Sequence, residues 1–313
     1  MDSERGYQPP ETGRGHATEA RFTFLRHSQK ASARVFDQAG GISLASISEQ
    51  GLERAKTFGE SQFVDRDVTK AYATKVNRTI ETLQAAFAAA KINPDILQAS
   101  NETDKFFSLP AQTGSKEFNE DYEAHMAPHR DAYMAEHFPG KKFDDLNPDE
   151  QEEVAEHAEE WAMEWYLAFD RERPDEGTPS PREHAARVAF KINRLVNLPD
   201  YMPEGKVVDL VSGGHKTSTE AFLKYCIQRQ EGDTVIIGFD KLSEIGGSLK
   251  ILDSWDLDIK NNEGGEKQIT ITLRRENGET QVYGVNLPAL RELATEYLAA
   301  QQREPNTIDS LNQ

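Results

Sequence analysis

The chain has one cysteine, Cys226, in 313 residues. An intrachain disulfide is therefore excluded, and the thiol usage fits a reducing compartment, so a cytoplasmic protein is expected. Cys226 falls in Ala221-Phe222-Leu223-Lys224-Tyr225-Cys226-Ile227, an apolar-periodic run, and reads as a core thiol. No apolar stretch approaches the roughly 18 residues of a membrane span. The first twenty residues lack the apolar segment of a secretory signal and read as a tail, as do residues 303–313. Positive charge is scarce: 36 Lys and Arg stand against 54 Asp and Glu, a net charge of −18. Such a balance argues against nucleic acid and against anionic membranes as partners. No Gly-x-Gly-x-x-Gly follows any expected strand, so a dinucleotide fold is unsupported. Gly213-Gly214-His215-Lys216-Thr217 lies between a strand and a helix, yet His215 and Leu210 occupy the two glycine positions a phosphate-binding Walker loop requires.

Against these absences stands an orderly alternation of strand and helix patterns. A strand is expected at about 21–26, where Phe22 and Phe24 alternate with polar residues before Leu25. Ser48 is an N-cap candidate for a helix carrying Leu52, Ala55 and Phe58 on one face. A short strand at 70–74 leads to a helix from about Val76 to Ala90, with Ile80, Leu83 and Phe87 at helical spacing, and Ile96–Ala99 reads as another short strand. Further on, Pro181 opens a helix, and Lys206–Ser212 is a β-branched strand. Gly213–Thr217 reads as its turn, and a helix follows from about 218 to 228. The C-terminal part is β-rich at 234–239, 248–259, 268–274 and 280–285. Asn277-Gly278 is expected to turn a hairpin, and an amphipathic helix closes the chain at 287–301. The pattern predicts an α/β three-layer sandwich with a mostly parallel central sheet over 21–302, with a C-terminal β-hairpin extension.

Residues 117–176 break the pattern. They hold 20 Asp and Glu against 5 Lys and Arg. Two helices are expected there, about 122–137 and 148–169, with Trp161, Trp165, Tyr166 and Phe169 forming an apolar face. The segment reads as a helical insertion whose acidity is a solvated face in the plainer reading. Placed between two elements of the sheet edge, it could also roof a site and disfavour polyanionic substrates. His125 and His129 are four apart with His137 beyond, a spacing that could face a metal. Pro128 and the surrounding carboxylates make a solvated helix face the simpler account, and no metal or cofactor is expected.

Three basic groups fall at or just after strand ends: Arg26-His27, Arg78 and His215. Strand ends of an open parallel sheet share one edge, so these groups can converge although distant in sequence. Two imidazoles and two guanidiniums around one point would suit a phosphate.

Four segments carry a resemblance, in order. They are Leu25-Arg26-His27-Ser28-Gln29-Lys30; Ile47-Ser48-Glu49-Gln50-Gly51-Leu52-Glu53-Arg54-Ala55; Thr74-Lys75-Val76-Asn77-Arg78-Thr79-Ile80-Glu81-Thr82; and Val207-Val208-Asp209-Leu210-Val211-Ser212-Gly213-Gly214-His215. The set resembles the histidine phosphatase superfamily, of phosphoglycerate-mutase-like fold. The resemblance implies a metal-independent phosphomonoester hydrolase in which His27 becomes a phosphohistidine. Arg26, Arg78 and His215 would hold the phosphoryl group, and a carboxylic acid would serve the leaving oxygen. Glu102 is the first candidate for that acid, with Asp104 and Glu120 as alternatives. The substrate would be a phosphorylated small molecule or phosphoprotein. A non-catalytic phospho-ligand-binding or scaffolding protein on the same fold, or a phosphomutase, are the alternatives. Two positions depart from the family: Ser28 replaces its usual Gly, and His215 follows two glycines where the family His often directly follows the strand.

Overall fold

The computed structural model describes residues 14–30, 46–99 and 115–303. In chain order, β1 (Thr18–Arg26), α1 (Glu49–Gln62), β2 (Lys70–Ala73), α2 (Asn77–Ala89) and β3 (Leu97–Ala99) form the first part. The acidic segment folds as α3 (Lys116–His137) and α4 (Pro148–Leu167). Next come α5 (Pro181–Asn197), β4 (Val207–Gly214), α6 (Lys216–Cys226), β5 (Ile227–Glu231) and β6 (Thr234–Ile237). Finally β7 (Ser254–Asn261), β8 (Lys267–Arg274), β9 (Thr280–Val285) and α7 (Leu287–Arg303) complete the described chain. β1 begins at Thr18, inside the stretch expected to be a tail.

The strands make one nine-stranded sheet in the order β3-β2-β4-β1-β7-β8-β9-β5-β6. Strands β3, β2, β4 and β1 run parallel. Every pairing from β1 through β7 to β6 is antiparallel. The expectation of a mostly parallel sheet is therefore corrected to a mixed one. The reason is connectivity: parallel neighbours need a crossover, usually a helix, whereas β7, β8 and β9 follow one another through short turns. The 280–285 hairpin strand is thus a continuation of the main sheet.

Alternation within β1 shows how the layers are filled. Phe22 and Phe24 point into a cluster shared with Ala185, Val188 and Ile192 of α5, Phe222 of α6 and Leu290 of α7. Leu25 points the other way, among Ala55 and Phe58 of α1 and Leu83 and Phe87 of α2. Trp255 of β7 is fully buried against Phe22, Phe24 and Phe222 at ring separations of 5.6, 6.0 and 5.8 Å.

Helix starts follow the local chemistry. Ser48 caps α1 by accepting from Gly51 N. Asn147 and Glu150 form a capping box before Pro148 of α4, and Ser180 and Glu183 do the same before Pro181 of α5. Other boundaries also differ from expectation, β7 among them, which begins at Ser254 and not near 248. Gly213 and Gly214 belong to β4, paired with Leu25 and Arg26, and are not a turn. Helix α6 ends at Cys226, because residues 228–231 pair with 234–237 around Gly232, whose φ of +58° makes the turn.

Helices α3 and α4 share a small core of Met134, Leu146 and Val154. At the other end Phe118 stacks on Trp165 and meets Tyr166, and these join the main core. No described helix is long and apolar enough to cross a membrane.

Candidate active site

The parallel half of the sheet sets the geometry. Arg26 pairs with Gly214, and Ala73 with Gly213, so β1, β2 and β4 reach the same edge together. The next residues leave the sheet there. His27 N donates to Gly214 O at 3.2 Å, and His215 follows as the N-cap of α6. Their rings stand edge to face with centroids 5.1 Å apart. Because β4 runs through both glycines, His215 does follow its strand directly, and the departure noted in the sequence is a longer strand. Packing at Gly213 is tight: a Cβ there would lie 3.0 Å from a methyl carbon of Leu83 and 3.3 Å from Thr79 O.

His27 is held in one tautomer. Its Nδ1 lies 2.8 Å from the Ser28 carbonyl, which only accepts, so Nδ1 carries the proton and Nε2 the lone pair. Burial pushes the pKa of His27 well below the usual imidazole range, reinforced by His215, Arg78 and Arg26. Burial does the same to His215, followed by Arg78, Arg26 and Lys30. Both rings are therefore neutral at physiological pH, the form a nitrogen nucleophile needs. Arg78 is pushed down to about 10 by burial and then by Arg26. Its Nε, and the Nε2 of His215, are buried without a hydrogen-bond partner among the described residues. The unpaired Nε of Arg78 is a donor that suits an anion, and the His215 Nε2 can join it in the tautomer that carries its proton there.

The loop after β1 is fixed to both helices of its face. Ser28 N donates to Thr82 Oγ1 at 2.9 Å, and the same hydroxyl donates to Arg78 O at 2.6 Å. Thr82 thereby sets the register between the loop after β1 and the turn of α2 that carries Arg78. Ser28 Oγ donates to Gly51 O at 2.7 Å, so its hydroxyl binds α1 to the loop. Gly51 permits that approach: a Cβ there would stand 2.6 Å from the Gln29 carbonyl oxygen.

Helix α4 lies against this edge through its carboxylates. Asp149 accepts from Gln29 at 3.2 Å and from Gln50 at 2.7 Å. Glu152 pairs with Arg54 at 2.7 Å. Glu156 accepts from Ile251 N at 2.8 Å and from Arg26 at 3.4 Å. Glu159 pairs with Lys216 at 2.7 Å and with Arg26 at 3.3 Å. Positions 149, 152, 156 and 159 recur every three or four residues and so share one helix face. That face is docked, whereas Glu117, Glu120, Asp121, Glu123, Asp131 and Glu136 of α3 are exposed, so the expectation of a solvated acidic face holds for α3 and is corrected for this face of α4. Burial alone would raise the Glu159 carboxyl, but Lys216, Arg26 and Lys30 outweigh it and hold it well below the usual carboxylate range. Glu156 goes the other way, raised by burial that Arg26 offsets only in part.

A loop before β7 completes the wall. Leu249 O accepts from Arg26 Nη1 at 2.5 Å. Glu220, wholly buried, accepts from Ser248 Oγ and Leu249 N, both at 2.6 Å. Arg275 donates to Asp253, Ile245 O and Gly247 O, fixing the loop's course.

Of the residues singled out in the sequence, His27 and His215 are in contact, and Arg26 and Arg78 act electrostatically on both rings. The ends of the Arg26 guanidinium are turned to Glu156, Glu159 and Leu249 O. Glu102 and Asp104 lie outside the described residues. Glu120 is exposed on α3 and paired with Lys116, with no contact to the histidines. His125 stacks on Trp165 and His129 on Trp161, while His137 stacks on Tyr133. Helix α3 runs through Pro128. No group of three or more potential metal ligands occurs among the described residues. Sequence reasoning missed Glu156, Glu159 and Lys216. The 149, 152, 156, 159 spacing was the available signal.

No protein-family model matches the chain, and no curated protein matches it. Solved structures do resemble it. A mycobacterial glucosyl-3-phosphoglycerate phosphatase is 14% identical with a TM-score of 0.40, covering 84% of this chain and 97% of its own. A phosphoglycerate mutase from Bacillus anthracis is 11% identical with a TM-score of 0.39, covering 90% and 97%. A phosphoserine phosphatase from Entamoeba histolytica is 12% identical with a TM-score of 0.39, covering 80% and 94%. These structures are of histidine phosphatase superfamily members.

Proposed function

We propose that the protein is a metal-independent phosphomonoester hydrolase that works through a phosphohistidine on His27. The observation that carries this reading is the pairing of two buried, neutral imidazoles, one with its Nδ1 proton fixed on a carbonyl, beside the open donors of Arg78 and His215. The Nε2 lone pair of His27 forms a bond to phosphorus as the ester P–O bond breaks. A carboxylic acid, for which Glu102 is our candidate, gives its proton to the leaving oxygen. The resulting carboxylate then takes a proton from water, the water oxygen attacks phosphorus, and the P–N bond breaks to return the lone pair to His27. Arg78 and His215 hold the phosphoryl oxygens as charge develops, and Arg26 adds a fixed positive charge. The substrate is a phosphorylated small molecule or phosphoprotein, and no step in the scheme draws on a cofactor.

Hydrolysis of p-nitrophenyl phosphate by the wild type, in the presence of a chelator, and by His27→Ala tests the reading. Turnover by the wild type that His27→Ala abolishes supports it. Equal turnover in both, or a strict need for added divalent cation, overturns it. Phosphate binding without any turnover would identify a phospho-ligand-binding protein instead.

A further inference from the structure

We propose that Glu159 is a specificity-determining residue, whose carboxylate fills the cationic flank of the His27–His215 pair and restricts the site to ligands with a single phosphoryl group. The inference rests on the reading of this edge as a phosphate site, and it follows from an account of the charges there. Among the described residues, the cations at this edge are Arg26, Lys30, Arg78 and Lys216. Arg26 gives its terminal nitrogens to Glu156, Glu159 and Leu249 O. Lys216 gives its ammonium to Glu159 and Ser248. Lys30 lies within electrostatic reach of Glu159 as well. Among the described residues, Arg78 keeps a buried, unpaired Nε and His215 a buried, unpaired Nε2. That is provision for one dianion. A second phosphoryl group would meet Arg26 and Lys216 already paired with carboxylates.

Glu159 is also a resident of the edge and not a passing side chain. Helix α4 is capped at its start by Asn147 and is pinned along the same face by Arg54 on Glu152 and by Ile251 N on Glu156. Leaving the edge would cost the Glu159 side chain its pairs with Lys216 and Arg26. Half-buried and paired to two cations, it is a negative charge held at the edge, whose repulsion of a second phosphoryl group is only partly screened by salt.

The test measures binding, so that it does not depend on turnover. Orthophosphate and pyrophosphate are titrated calorimetrically into wild type, Glu159→Gln and Lys216→Met at low and moderate salt. Hydrolysis of p-nitrophenyl phosphate is measured on the same samples. Wild type is expected to bind orthophosphate more tightly than pyrophosphate. Glu159→Gln should shift the ratio toward pyrophosphate by about tenfold, the effect of one unit charge at close range in a partly screened site. Lys216→Met, which leaves Glu159 less compensated, should shift it the opposite way, and it decides the matter if Glu159→Gln does not fold. An unchanged ratio in either folded variant overturns the role of Glu159. A shifted ratio in a protein without phosphatase activity keeps that role and overturns the hydrolase. Failure of the wild type to bind either anion overturns both.

Discussion

The rings of His27 and His215 meet edge to face, with centroids 5.1 Å apart, although 188 positions separate the residues. Parallel pairing of β1 with β4 produces the contact, since Arg26 and Gly214 are register partners and each histidine is the next residue. Desolvation and the neighbouring arginines keep both rings uncharged, and the Ser28 carbonyl leaves the lone pair of His27 on Nε2.

The first prediction follows from that division of roles. His27→Ala should abolish phosphatase turnover, and denaturant-quenched wild type should carry an acid-labile phosphate that His27→Ala lacks. Arg78→Ala should lower kcat by about 10²–10³, the cost of removing one preorganised oxyanion donor. Steady-state kinetics and a radiolabelled quench check both. A labelled His27→Ala protein, or Arg78→Ala within threefold of wild type, contradicts the assignment.

Arg26 should behave differently from Arg78. Its guanidinium holds two carboxylates of α4 and the Leu249 carbonyl, and it is almost fully buried. Arg26→Ala would leave Glu156 and Glu159 without that partner inside the protein. Breaking a buried pair by removing one member costs about 3–5 kcal/mol. Chemical denaturation should show a loss of that order, together with protease cleavage in residues 117–176 that the wild type resists. Arg78, whose Nε has no hydrogen-bond partner among the described residues, should cost little stability when replaced. Equal destabilisation by the two variants would contradict this separation.

How much of this was legible in the sequence depends on the kind of interaction. Strands, caps and the shared edge were readable because they are written in local patterns: Phe22 and Phe24 alternate, Ser48 and Ser180 precede their helices, and parallel strands must end together. The glycines were misread because Gly is rare in strands, and only the packing of Leu83 shows why Gly213 stands in one. The position of β7 beside β1 was hidden, because neither strand's own pattern states its neighbour. The docking of α4 was hidden for a related reason. A stripe of carboxylates at helical spacing looks the same whether it faces water or cations, and here the cations, Arg26, Arg54 and Lys216, come from three separate elements.

The pH dependence carries a definite sign. His27, His215 and His184 are all buried with lowered pKa values, and burial followed by Arg187 takes His184 down to about 3. Unfolded, each would titrate near 6.5. Between these limits the unfolded chain binds more protons than the folded one, so stability is full above about pH 6.5 and falls as the pH drops. Each histidine contributes about 1.4 kcal/mol per pH unit within its window. Urea unfolding from pH 6.5 to 5 should show this slope, and His184→Gln should reduce it by about one proton. The same shifts keep the nucleophile neutral, so the acid limb of kcat/KM that reports His27 should lie well below pH 6. A limb at the ordinary imidazole pKa would contradict the burial argument.

The last prediction concerns the contact between Ser28 and Gly51. Ser28 stands where the resembling family has Gly, and its hydroxyl donates to Gly51 O at 2.7 Å, away from the open donors of the site. The serine therefore holds α1 against the nucleophile loop. Ser28→Gly should cost about 1 kcal/mol for the lost hydrogen bond, with some addition for backbone freedom, and leave kcat within a few fold. Gly51→Ala is the sharper change. Its Cβ would stand 2.6 Å from the Gln29 carbonyl oxygen and 3.2 Å from Ser28 Oγ, and backbone atoms cannot rotate out of the way. Either α1 or the loop carrying His27 must shift. Gly51→Ala should destabilise the protein by about 1–3 kcal/mol, as overpacking does, and should lower kcat more than it raises KM, because the displaced group is the nucleophile and not a binding wall. In the double variant the glycine at 28 removes the Ser28 Oγ contact but neither the Gln29 carbonyl contact nor the 3.1 Å contact with Gln29 N. Thermal unfolding should thus show only a small part of the Gly51→Ala loss recovered. Full recovery would mean that the serine hydroxyl, and not the Gln29 backbone, sets the limit on position 51.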